Sequence, residues 1–104
     1  MLQQPIAAVA RASASNRKRW VAIHSAVNGH SIVVQPPHRY YVIDTEFDTV
    51  LLKAHSENGD EDLAIMSQAK YYAANATELY ILLANLEVDP ESFNAPWHVE
   101  HPLL

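Results

Sequence analysis

DEDLAIMSQAKYYAANATELYILLANLE, residues Asp60 to Glu87, is the longest periodic stretch in this chain. Ile65, Ala69, Tyr72, Ala76, Leu79, Leu83 and Leu86 recur in it at steps of three and four, the spacing that lines side chains along one side of an α-helix. Met66, Ala73 and Leu82 widen the stripe, while Lys70, Asn75, Glu78 and Glu87 fall mostly opposite. The spacing predicts a long helix over 60–87 lying on a small sheet made by the residues before it. Asp60 suits the N-cap, and Glu61 and Asp62 complement the helix dipole in the first turn. Asn75-Ala76-Thr77-Glu78 is a second start signal, an Asx cap with an acid three residues on, and predicts a kink or break there.

Outward from that stretch the periodicity changes. Trp20 to Val27 alternates, and Asn28-Gly29 is the preferred pair for a two-residue type I′ turn. That turn sets Ile23 opposite Val34 and Ser25 opposite Ile32, and it gathers Val21, Ile23, Val27, Ile32 and Val34 on one face. Pro36-Pro37 ends the second strand, because neither residue can donate to a ladder. Arg39 to Asp44 (RYYVID) reads as a third strand, TEFD as a turn, and Thr49 to His55 (TVLLKAH) as a fourth strand. The expected fold is α+β: a four-stranded antiparallel meander covered on one face by a long, kinked C-terminal helix. Residues 1–18 are expected as disorder or as a short helix from Pro5 to about Arg11. Asp89-Pro90-Glu91 predicts one short turn, and residues 89–104 an irregular tail pinned to the body by Trp97.

With 104 residues, 49% of them apolar, the chain is expected to form one domain over 1–104. It has no cysteine, which excludes disulfides and thiolate metal sites and suits a reducing compartment. No apolar run approaches the ~20 residues that span a bilayer. The apolar run Ile6 to Ala10 is too short for a secretory leader, and its charges follow it, so a cytoplasmic protein is expected. The net charge of −5 hides a polarity: residues 1–43 hold five basic residues and no acid, whereas residues 44–104 hold Lys53, Lys70 and all twelve acids. Such asymmetry bears on partners rather than on fold.

The second half resembles a pattern common in small bacteriophage and prophage proteins, in which a hairpin leads into a helix ending in LIAAAPELLAALE. The matching residues are Tyr71 to Leu79 and Leu82 to Glu87, with Thr77 where the pattern has proline. The resemblance implies a phage protein that binds and disables a host complex, such as a CRISPR effector or another defence protein, in the host cytoplasm. On that reading the chain is not an enzyme and needs no cofactor or metal, and a homodimer stays open. The expected partner-binding residues are Asp44, Glu46, Asp48, Glu57, Asp60, Glu61 and Asp62, an acidic run suited to a basic groove on the partner.

Four other chemistries compete with it. Val42-Ile43-Asp44-Thr45-Glu46-Phe47 resembles the first motif of the DEDD 3′–5′ exonucleases, which implies a metal-dependent nuclease with Asp44 and Glu46 as ligands; the later Asp motifs of that family are missing. Tyr40, Tyr41, Tyr71 and Tyr72 suit a pocket in a protein that sequesters a nucleotide or other small ligand. Arg17-Lys18-Arg19-Trp20 with Arg39-Tyr40-Tyr41 suits nucleic acid, but the acidic balance of the whole chain argues against direct binding. Of the six histidines, His98 and His101 stand closest, with Glu100 between them, but no spacing among them makes a preorganised metal site.

Overall fold

The computed structural model describes residues 5–25 and 39–104. Ile6–Ala10 (β1), Arg17–Ser25 (β2), Tyr40–Asp48 (β3) and Ile65–Ala73 (β4) form one antiparallel sheet in the order β1-β2-β3-β4. Two short helices, Thr49–Ser56 (α1) and Ala76–Asn85 (α2), and short 3-10 turns complete it. The fold is thus a four-stranded antiparallel sheet with two short helices, and the expected long helix over 60–87 does not exist. Its first half is a 3-10 turn, Glu61–Ala64, followed by β4.

The cause of that error is a bulge. Glu46 pairs with Ser67 but Phe47 with Ile65, so Met66 is an extra residue in β4. It throws Ile65 onto the opposite face from Ala69, Tyr71 and Ala73, which breaks the period of two. The remaining steps of four fit a helix and a strand equally well. The second start signal is real: the Asn75 side chain accepts from the Glu78 amide at 2.9 Å and caps α2. Asp60 starts the 3-10 turn without a side-chain capping bond.

Thr49 to His55 is a helix rather than a fourth strand, because Asp48 caps it by accepting from the Val50 and Leu51 amides at 2.9 Å each. TEFD is no turn. It is the end of β3, where Thr45, Glu46 and Phe47 are buried. The N-terminal segment holds strand β1 rather than a short helix or disorder, and Ala7 and Ala8 are wholly buried in it. The helix preference of alanine yields there to a small side chain's fit between sheet neighbours. The expected Asn28-Gly29 turn, its partners Val27, Ile32 and Val34, and Pro36-Pro37 lie outside the described residues. Ile23 is described, and both its flanks are taken, by Ile6 and by Val42.

Each face of the sheet carries a core. On one, α2 lays Leu79 and Leu83 over Ala8, Val21, Ile23, Val42 and Ala73, with Val88 closing the end. On the other, Trp20, Phe47 and Ala64 pack together with Leu52 of α1, Ile65 and Val99. The Trp20 indole N–H donates to the Val99 carbonyl at 2.8 Å. Trp97, expected to pin the tail, is 65% exposed, and the tail is held by Trp20 and the buried Pro96 instead. The expected turn after Asp89 forms at Pro90–Ser92, with the Asp89 carboxylate accepting from the Glu91 amide at 2.9 Å. Beyond it, Asn94 bridges to Ala7 and covers the outer edge of β1.

Candidate functional site

The acidic run is divided by the fold. Directly paired strand residues share a face, so Asp44, Glu46 and Asp48 stand on the α2 side, with Arg17 and Arg19 opposite Asp48 and Glu46. Asp44 accepts from Nε and Nη2 of Arg19 at 2.8 Å each. The Arg19 guanidinium also donates to the Leu86 carbonyl at 2.9 Å, satisfying one of the carbonyls left over at the end of α2. The Asp44 hydrogen bond, with the Asp44 charge, raises the Arg19 pKa against the opposing effect of burial. Glu46 accepts from the hydroxyl of Ser13 and from its amide at 3.0 Å. That hydroxyl bond holds its carboxyl below the ordinary range, although burial works the other way. Asp48 is occupied in capping α1.

Asp44 and Glu46, the carboxylates of the exonuclease-like string, are therefore engaged by Arg19 and Ser13. Among the described residues, no group of three His, Cys, Asp or Glu side chains is arranged to hold a metal ion. The four tyrosines are parted by the sheet. Tyr40 and Tyr71 pack toward the α2 core, and Tyr41 and Tyr72 stand on the other face. The sheet thus does not gather the four rings into one pocket.

Glu57, Asp60, Glu61 and Asp62 remain together, in and around the connection from α1 to β4. The 3-10 turn that carries Glu61 and Asp62 packs against α1, and both elements carry exposed apolar side chains. No residue of α1 is buried, Val50 at its start is 71% exposed, and Leu63 within the connection is 60% exposed. Beside this corner lies a cleft of about 430 Å³ lined by Lys18, Thr49, Leu52, Lys53, Glu61 and Glu100. Glu57, Asp60, Asp62 and Leu63 are all exposed, and only Glu61 is half-buried.

The face opposite α2 holds a second cluster, which the sequence reading missed. His24, Tyr41 and Tyr72 are direct neighbours across β2, β3 and β4. Burial, and then Lys70, lowers the His24 pKa. The signal was present: RYYVID and AKYYA each carry a Tyr-Tyr pair, and reading both as strands would have put one tyrosine of each on either face. Nearby, His101 packs on Trp20 and Phe47 at centroid distances of 5.8 and 6.5 Å. Its Nδ1 accepts the Leu103 amide at 3.1 Å.

Burial first, and then the charge of His24, bring the His101 pKa down from 6.5 to about 4. Between those values the unfolded chain holds a proton that the folded chain refuses, so stability falls as pH falls through that window. For a half-exposed ring the loss is expected to be about 1 kcal/mol. Urea unfolding at several pH values checks it: His101→Phe keeps the ring and should lose that part of the slope. An unchanged slope would show that His101 does not titrate this way.

Comparison with protein-family models, curated proteins and solved structures finds no match to this chain. Among the described residues, no helix is long and apolar enough to cross a membrane.

Proposed function

We propose that this chain is a non-enzymatic protein that works by binding a partner protein through the corner between α1 and β4. The supporting observation is that α1 and the turn after it, which pack together, expose Val50 and Leu63 in the same part of the chain as Glu57, Asp60, Glu61 and Asp62. α1 packs Leu52 on the core but has no fully buried residue, and large exposed apolar side chains beside charge are the make-up of a binding surface. The acidic border suits a partner with a basic groove, such as a protein that itself handles nucleic acid. The likeness of residues 71–87 to the phage pattern supports a host defence complex, a CRISPR effector among them, as the class of partner.

Affinity capture from a bacterial host lysate, followed by binding kinetics with the captured protein, tests this. Reversing Asp60, Glu61 and Asp62 to Lys should slow association about tenfold or more at low salt, and the difference should shrink as salt rises. Val50→Asp with Leu63→Asp should instead speed dissociation. If both variants bind with the parent's rates, the corner is not the interface.

The cleft beside the corner supports a second reading, sequestration of a small ligand, because Lys18 and Lys53 face it over the apolar Leu52. Nucleotides that raise the melting midpoint, while the corner variants capture the same proteins as the parent, would favour that reading.

A further inference from the structure

Charge in the sheet is sorted by face. All the strand carboxylates, Asp44, Glu46 and Asp48, lie on the side that α2 covers, with Arg17 and Arg19 across from two of them. The other side presents Lys18, His24, Tyr41, Lys70 and Tyr72. The rings of His24 and Tyr41 stack with centroids 4.7 Å apart and planes 2° from parallel. The Lys70 ammonium sits 4.5 Å from the Tyr41 centroid, on a distance to Tyr72 of 5.8 Å. Imidazole, phenol, ammonium and phenol thus form one ladder across three strands. Among the described residues, no carboxylate pairs with Lys70. Arg39, the residue before β3, is a further exposed cation at this end of the sheet.

We infer that this face of the sheet binds single-stranded nucleic acid, with a phosphate on Lys70 and bases against the tyrosine row. Lys70 is held between rings, so much of the side-chain entropy that a free lysine loses on gripping an anion is already spent. Aromatic groups on a sheet beside a cation are a recurring way to hold unpaired bases; with His24 stacked on one side of the Tyr41 ring and Lys70 on the other, that ring meets a base edge-on, against the π-face that every base has. A duplex keeps its bases stacked inside and offers the row only its backbone.

The net charge of −5 does not decide the local field. Side chains on opposite faces of a sheet point away from each other, and exposed charges are screened within about 8 Å at physiological salt. Glu61 and Glu100 do reach this side of the molecule, but they line the cleft with Lys18. Lys18 and His24 are the two ends of β2 on this face, roughly 20 Å apart at about 3.3 Å per residue. The site is therefore the His24 end, and it is separate from the acidic corner proposed for the protein partner.

Fluorescence anisotropy with the full chain and a labelled single strand of about ten nucleotides, at about 50 and 200 mM salt, tests the inference. Binding is expected at the lower salt and should weaken as salt rises. Lys70→Glu should weaken it at least tenfold, and Lys70→Gln should lower the slope of log affinity against log salt by about 0.7, the loss of one phosphate contact. Lys70 is exposed, so both variants should keep the parent's circular dichroism. The ring resonances of Tyr41 and His24 should shift on adding the strand. No binding at the lower salt, an unchanged affinity in Lys70→Glu, or equal affinity for a duplex or a mononucleotide would each overturn the inference. Failure of the corner variants to affect a protein partner would not bear on it.

Discussion

Replacing Trp20 by alanine is expected to lower the unfolding free energy by about 3–5 kcal/mol, the usual cost of truncating a buried large aromatic. The side chain is 2% exposed and meets Phe47 edge to face, with centroids 5.4 Å apart at 83°. Its loss opens a cavity in the core on the face opposite α2, where it packs with the buried Phe47 and Ala64 and lies beside the buried Thr45. It also leaves the Val99 carbonyl without its indole donor and His101 without one of its two ring neighbours. For a chain of this size the Tm should fall by more than about ten degrees. Trp20→Phe should cost less, because it keeps a ring against Phe47 and gives up only the hydrogen bond and part of the volume. Urea unfolding of the two variants, with C-terminal proteolysis as a measure of tail docking, checks both points. A Trp20→Ala protein that melts with the parent would mean that Trp20 is not the anchor of that face.

Arg19→Ala is expected to cost about 2–4 kcal/mol, because removing one partner of a sheltered ion pair leaves the other charge uncompensated. The two side chains are only 13% and 17% exposed, and the carboxylate left behind would stand two residues from Glu46 on the same face. The Leu86 carbonyl would lose its donor as well, so the last turn of α2 should fray. The double variant Arg19→Met, Asp44→Leu separates the energy of the pair from the penalty of breaking it. Replacing both partners by apolar groups is often near neutral, so it should lie much closer to the parent than Arg19→Ala does. Chemical denaturation of the three proteins decides it. If the double variant is as unstable as the single one, the pair itself stabilises the sheet, rather than merely being costly to break. Either way, Asp44 belongs to the internal framework, and the exposed carboxylates of the acidic run are Glu57, Asp60 and Asp62.

Local signals in this chain were legible wherever one residue satisfies the backbone of its near neighbours. Asn75 before α2 and Asp89 before Pro90–Ser92 cap as their types and spacing require, since such bonds close within three residues and depend little on the rest of the fold. RYYVID reads correctly as strand, and an antiparallel sheet of four strands follows from the sequence in number though not in identity. Only β2 and β3 contain segments that the alternation marks; β1 reads as a short helix or disorder, β4 as helix and α1 as strand. In each of those three, the deciding term lies outside the segment. Ala7 and Ala8 are strand because β2 and Asn94 flank them. Thr49 to Ser56 is helix because Asp48, which the reading had put in a turn, caps it. Ile65 to Ala73 is strand because β3 pairs with it around Met66, and the bulge erases the alternation that would have announced it. The charges followed the same division. Composition shows that acids crowd the second half of the chain, but only the pairing of β2 with β3 decides that Asp44 and Glu46 turn inward to Arg19 and Ser13. The same pairing leaves Lys70 and the tyrosine row on the other face, because a strand places neighbouring residues on opposite sides and only its register says which side is covered.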